Sequence, residues 1–165
     1  FFENEINILF NGNLILVGVM LIITSLILFL SDKYNDLNKK LNLKNSLLIG
    51  ISQAFAILPG ISRSGATIGM SIFLGLNRET AAKFSFLMVV PIILGSCLKI
   101  ILNNEISINY INVMNYLVGF ISALISGYYA CKWMIIFVKK SKLIYFSIYC
   151  LLIGTLSIIY SFLNG

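Results

Sequence analysis

Residues 14–30, LILVGVMLIITSLILFL, run without one charged side chain. Such a run is long enough to cross the ~30 Å hydrocarbon layer of a bilayer as a helix. Three more segments of this kind follow, at 84–102, 113–138 and 143–163. A chain with four such runs has few folds open to it. In lipid every backbone N–H and C=O must be satisfied internally, so helices or a closed barrel are the available solutions. The lengths select helices. Composition agrees: 59% of residues are hydrophobic and 11% charged, with mean hydropathy +0.95, against about 45–50% and about 25% in soluble domains. The expectation is an all-α integral membrane protein, a multispanning helical bundle treated as one membrane domain over 1–165.

The net charge of +6 is gathered into short gaps between the apolar runs. Lys33, Lys39, Lys40 and Lys44 lie in one, Arg78 and Lys83 in the next, and Lys139, Lys140 and Lys142 in a third. Cytoplasmic loops of multispanning proteins carry positive charge in this way, and a nucleic-acid footprint does not. Lys99 and Lys132 fall near span ends, where a long side chain reaches the interface. Pro91 sits inside a span, where a kink is expected. Cys97, Cys131 and Cys150 lie in apolar stretches and read as small buried hydrophobes. With no CxxC and no histidine, nothing suggests a metal set or a disulfide. The chain opens on Phe1-Phe2-Glu3 and shows no signal-peptide pattern. The expectation is a fragment of a longer protein.

Residues 47–76 behave differently. LLIGISQAFAIL and ATIGMSIFLGL are apolar but too short to span, and PGISRSG separates them. Pro59 and Gly60 stop one helix and a second starts just after, near Ser64. Basic loops flank the pair on both sides, so it reads as a re-entrant helix–loop–helix entered from the cytoplasm. Asn77 reads as the N-cap of the next helix, with Glu79 in its first turn and Lys83 four residues on.

The break carries Arg63. An unpaired arginine at membrane depth costs roughly 3 kcal/mol on insertion scales, and no carboxylate lies within the hairpin. Asp32, Asp36, Glu79, Glu105, Glu3 and Glu5 all sit in loops or near the N-terminus. The expected partner is an anionic ligand or a carboxylate from elsewhere. Ser62, Ser64 and Thr67 offer hydroxyls, Gly60 and Gly65 allow close backbone approach, and a half-helix N-terminus favours negative charge. Together they suggest a phosphate or diphosphate cradle. The plainer alternative is a simple inter-helix loop with Arg63 reaching the headgroups. A transporter or channel for an anionic substrate would use the same broken-helix device, and a non-catalytic membrane scaffold would make no use of Arg63.

Residues 53–95, QAFAILPGISRSGATIGMSIFLGLNRETAAKFSFLMVVPIILG, resemble the second signature region of the bacterial undecaprenyl-diphosphate phosphatases, through PGISRSGAT at 59–67 and KFSFLMVVP at 83–91. The resemblance implies hydrolysis of undecaprenyl diphosphate to undecaprenyl phosphate. That reaction recycles the lipid carrier of cell-wall synthesis and confers bacitracin tolerance. It implies a multi-pass protein of the bacterial inner membrane, with a fold of two inverted repeats of which this chain would hold one. Arg63 would be the phosphate-binding arginine, with Ser62, Ser64 and Thr67 in the same catalytic pocket and Gly60, Gly65, Ala66 and Gln53 as substrate-contacting positions. A polyprenyl diphosphate lipid is the implied partner, a homodimer is the oligomer left open, and a divalent cation, Mg or Ca, is the implied cofactor. The family's first repeat carries two glutamates four apart and a PISSTGH-like segment. Neither occurs here, so the metal ligands and the histidine are expected outside this chain, and the chain alone is expected to be inactive.

Overall fold

A computed structural model describes residues 14–34, 37–102, 110–140 and 142–164. Glu3, Glu5, Asp36 and Glu105 lie outside these residues. Six helices occur among the described residues: α1 Leu14–Lys33, α2 Leu43–Phe55, α3 Arg63–Phe73, α4 Arg78–Leu102, α5 Tyr110–Lys139 and α6 Leu143–Asn164. Four of them, α1, α4, α5 and α6, are long and apolar enough to cross a membrane. The chain is a multispanning helical membrane protein. Large apolar side chains such as Leu87, Phe120, Leu124, Leu152 and Phe162 are exposed along these helices, as expected where lipid, not protein, is the surrounding solvent.

The other two helices are short, 13 residues in α2 and 11 in α3. At 1.5 Å per residue they reach about 20 Å and 17 Å, so neither crosses a bilayer alone. The first begins at Leu43 and not at 47, because the Asn42 side chain caps it by accepting from Asn45 N–H at 2.8 Å. The second is capped by Ser62, whose Oγ accepts from Gly65 N–H at 3.1 Å. Asn77 caps α4 by accepting from Thr80 N–H at 2.7 Å, and the helix continues through Pro91. Lys83 and Lys139 both pair with Glu79, at 2.7 and 2.9 Å, so the same carboxylate ties the start of α4 to the end of α5.

The antiparallel α1–α6 pair forms the most extensive helix packing. Small residues make it possible. A Cβ added at Gly18 would lie 2.8 Å from Gly154 O, and one at Gly154 would lie 2.8 Å from Gly18 O, so the two backbones approach as small residues allow in lipid. One helical stretch further on, Ser147 Oγ donates to Ser25 O at 2.8 Å and lies 3.0 Å from Ser25 Oγ. Such a buried hydroxyl pair links helices where the hydrophobic effect cannot.

The core gathers at the end bearing the basic loops. Leu28 of α1, Ile68 and Ile72 of α3, Ala81 and Ala82 of α4, Val138 of α5, and Leu143 and Cys150 of α6 pack together. Arg78 closes this end. Although its sequence neighbours suggest a solvated basic loop, it is buried: its guanidinium donates to Asp32 Oδ1 at 3.3 Å, Asp32 O at 2.8 Å and Tyr34 O at 3.1 Å. Asp32 Oδ1 also accepts from Leu143 N–H at 3.2 Å, so one ion pair joins the ends of α1, α4 and α6. Asp32→Ala removes an acceptor from both a buried guanidinium and a helix-start amide. Loss of about 3 kcal/mol of stability is expected, read as a lower unfolding midpoint in detergent; an unchanged midpoint would contradict this role.

Candidate functional site

The broken helix is held by its own turns and by α1. After Phe55 the chain tightens: Ile57 N–H donates to Ala54 O, Leu58 N–H to Phe55 O and Ile61 N–H to Leu58 O. Gly60 takes φ +96°, a conformation L side chains rarely adopt, and an added Cβ would lie 2.5 Å from Val17 O. The loop therefore sits directly on the α1 backbone. Thr24 of α1 reaches up to it, its Oγ1 accepting from Ser62 N–H at 3.3 Å.

At the restart of the helix, Arg63 is exposed and its side chain has no hydrogen bond or ion pair among the described residues. It lines a cavity of ≈ 400 Å³ formed with Ala56 to Ile61. The backbone N–H groups of Arg63 and Ser64 are likewise without partners among the described residues. As first-turn donors at a helix N-terminus they point where negative charge is favoured. A second cavity, ≈ 500 Å³, adjoins at Gly60 and Ile61 and takes in Ser62, Ser64 and Gly65, facing Tyr149 of α6 and Met134 of α5. Ser62 Oγ and Ser64 Oγ are 3.4 Å apart. Arg63 and the serines thus lie on two sides of one loop, since successive residues at a helix start diverge by about 100°.

The structure brings Gly60, Ser62, Arg63, Ser64 and Gly65 to the two cavities at the break, and Thr67, Ala66 and Gln53 line neither of them. Thr67 is 1% exposed, its Oγ1 lying 2.5 Å from Ser85 Oγ of α4 and bonding back to Arg63 O at 2.9 Å. Ser71, on the same face, donates to Thr67 O at 2.6 Å. That face holds α3 against α4. Ala66 borders a separate apolar cavity of ≈ 240 Å³ with Phe55, Met70 and Phe73. Gln53 is buried in α2, and its Oε1 has no hydrogen-bond partner among the described residues. Sequence reasoning missed Thr24 and Ser85. Both are hydroxyls inside apolar runs, which nothing in the sequence sets apart.

Among the described residues, no three His, Cys, Asp or Glu side chains come together in a way that could hold a metal ion. The described carboxylates are Asp32 and Glu79, and both are committed to ion pairs. The donor set at the break consists of a guanidinium, amide N–H groups and hydroxyls. It suits an anion and does not fit a divalent cation.

The family described as Bacitracin resistance protein BacA matches residues 1–156. A Christiangramia forsetii protein named undecaprenyl-diphosphatase is 48% identical over 161 residues, covering 98% of this chain and 61% of the relative. A Bacteroides fragilis protein of the same name is 45% identical over 166 residues, covering 98% and 62%. One from Methanobrevibacter smithii is 43% identical over 157 residues, covering 93% and 56%. The chain spans about three fifths of the length of these curated relatives.

The Gly60 conformation makes a direct prediction. Gly60→Ala combines a disfavoured φ with a clash against Val17 O, and is expected to cost about 1–3 kcal/mol. Thermal unfolding in detergent measures it; a substitution without effect would mean the loop does not sit on α1.

Proposed function

The chain belongs to the Bacitracin resistance protein BacA family, and from that membership we propose that it carries the anion-gripping part of an undecaprenyl-diphosphate phosphatase. The observation that supports this reading most is the unpaired Arg63 guanidinium beside two unpaired amides at the start of α3, in a chain whose relatives bear that enzyme's name. The substrate is a polyprenyl diphosphate anchored in the bilayer. The reaction removes its terminal phosphate and returns the monophosphate carrier to cell-wall synthesis. It takes place in the bacterial inner membrane and underlies bacitracin tolerance.

In this reading water attacks the terminal phosphorus. The bond to the bridging oxygen breaks, and its electron pair leaves with the lipid monophosphate. Charge on the phosphoryl oxygens is the main thing a protein can stabilise in such a transfer. Arg63 supplies a planar fork matched to two of those oxygens, and the Arg63 and Ser64 N–H groups at the start of α3 supply fixed donors, while the Ser64 hydroxyl borders the adjoining cavity. Ser62 acts by capping α3 and so holding these donors in place. Neither described carboxylate is available to take the proton from water. The base, and the ligands of any divalent cation, come from donors beyond the described set. An anion transporter would share the broken helix, but the names of the relatives favour hydrolysis.

Two outcomes are expected. In the intact protein, Arg63→Lys lowers kcat by about 10²-fold in a phosphate-release assay. An ammonium keeps the charge and loses the fork, so near-native turnover in that variant contradicts the clamp. Residues 1–165 alone, reconstituted in proteoliposomes, release no phosphate from a polyprenyl diphosphate. Measurable turnover would show that this chain already holds a complete site, whereas uptake of labelled anion without release would favour transport.

A further inference from the structure

We propose that Thr24 is a positioning residue for the anion cradle, acting on Arg63 and Ser64 through the loop that precedes them; this rests on the phosphatase reading above. Thr24 lies in the middle of α1, on a helix whose sequence marks it only as a membrane span. It is 1% exposed. Its Oγ1 accepts from Ser62 N–H at 3.3 Å, and its hydroxyl hydrogen can go to Met20 O at 3.0 Å or to Gly60 O at 3.4 Å. Its methyl carbon lies 3.5 Å from where a Gly65 Cβ would stand. A single side chain therefore bonds the loop at Gly60 and Ser62 and stands beside the first turn of α3 at Gly65.

The cradle depends on where that turn begins. Ser62 supplies both the cap of α3, through Oγ to Gly65 N–H, and the first helical acceptor, through its carbonyl to Ala66 N–H at 2.8 Å. The unpaired donors, Arg63 N–H and Ser64 N–H, follow at once. Fixing Ser62 N–H on Thr24 fixes the direction in which those donors point. A threonine inside a helix can satisfy its hydroxyl on its own i−4 carbonyl. Thr24 has that bond available at Met20 O and also contacts a second element, which a residue acting only within its helix would not do.

The side chain has near-isosteric variants. Thr24→Val keeps the methyl group and puts a second in place of the hydroxyl, leaving Ser62 N–H without its acceptor in a part-buried site. Thr24→Ser keeps the hydroxyl. In the intact protein, with phosphate release from a polyprenyl diphosphate as the assay, Thr24→Val is expected to lower kcat about tenfold, with KM within about twofold. Thr24→Ser should recover most of the loss. Hydrogen exchange at Ser62 N–H should rise in Thr24→Val and return toward wild type in Thr24→Ser, while protection along α1 and α6 stays as it was. A purely structural role would instead lower the folded fraction in both variants and leave kcat per folded molecule alone. That result, an unmoved kcat, or unmoved exchange at Ser62 would overturn the proposal. Wild-type protein without turnover would overturn the phosphatase reading and this role with it; turnover with an unimpaired Thr24→Val overturns this role alone.

Discussion

The chain leaves helix at Phe55 and re-enters it at Arg63, and the backbone groups freed between them govern how the rest of the molecule is arranged. At membrane depth an unpaired N–H or C=O costs several kcal/mol, so such a break survives only when buried in protein or lining a polar cavity. Here both conditions meet. The turn at 57–61 bonds to itself, Gly60 sits on Val17 O, and Ser62 N–H rests on Thr24. The donors of Arg63 and Ser64 remain and face cavities. The α1–α6 packing matters for the same reason, since α1 can serve as a rigid seat only if something holds α1. The Gly18–Gly154 approach and the Ser25–Ser147 pair hold it on either side of Thr24.

Much of this was legible in the sequence because it depends on local chemistry. Asn77 starts a helix by capping, through neighbours a few residues away. The Pro59-Gly60 pair marks the break, although the helix before it already ends at Phe55 and the next is capped by Ser62, which the sequence offered only as an anion donor. Apolar run length revealed the four long helices for the same reason. What sequence could not show is which side of a membrane helix meets protein. Lipid and protein interior are both apolar, so α1 carries no hydrophobic stripe to orient it, and Thr24 and Ser25 read like any hydroxyls in an apolar run. Nor could sequence show that the Thr67 hydroxyl, read only as one donor of the cradle, meets Ser85 of α4, eighteen residues away in sequence. Arg78 misled likewise: beside Lys83 it looked like loop charge, but its partner Asp32 is forty-six positions distant.

The molecule treats its two arginines in opposite ways, and that contrast bears on function. Arg78 is buried, with a carboxylate and two carbonyls around its guanidinium. A buried charge is tolerated on those terms alone. Arg63 is given none of this, and the two described carboxylates that might have been spent on it are placed elsewhere. Asp32 is on Arg78, and Glu79 is between Lys83 and Lys139. Among the described residues Arg63 is left without a partner at a helix start, where negative charge is favoured. A carboxylate beside it would stabilise the guanidinium but compete with any phosphate brought there, so the proposed clamp role requires the side chain to stay clear of one. The contact of Ser62 N–H with Thr24 fixes the turn from which that side chain projects.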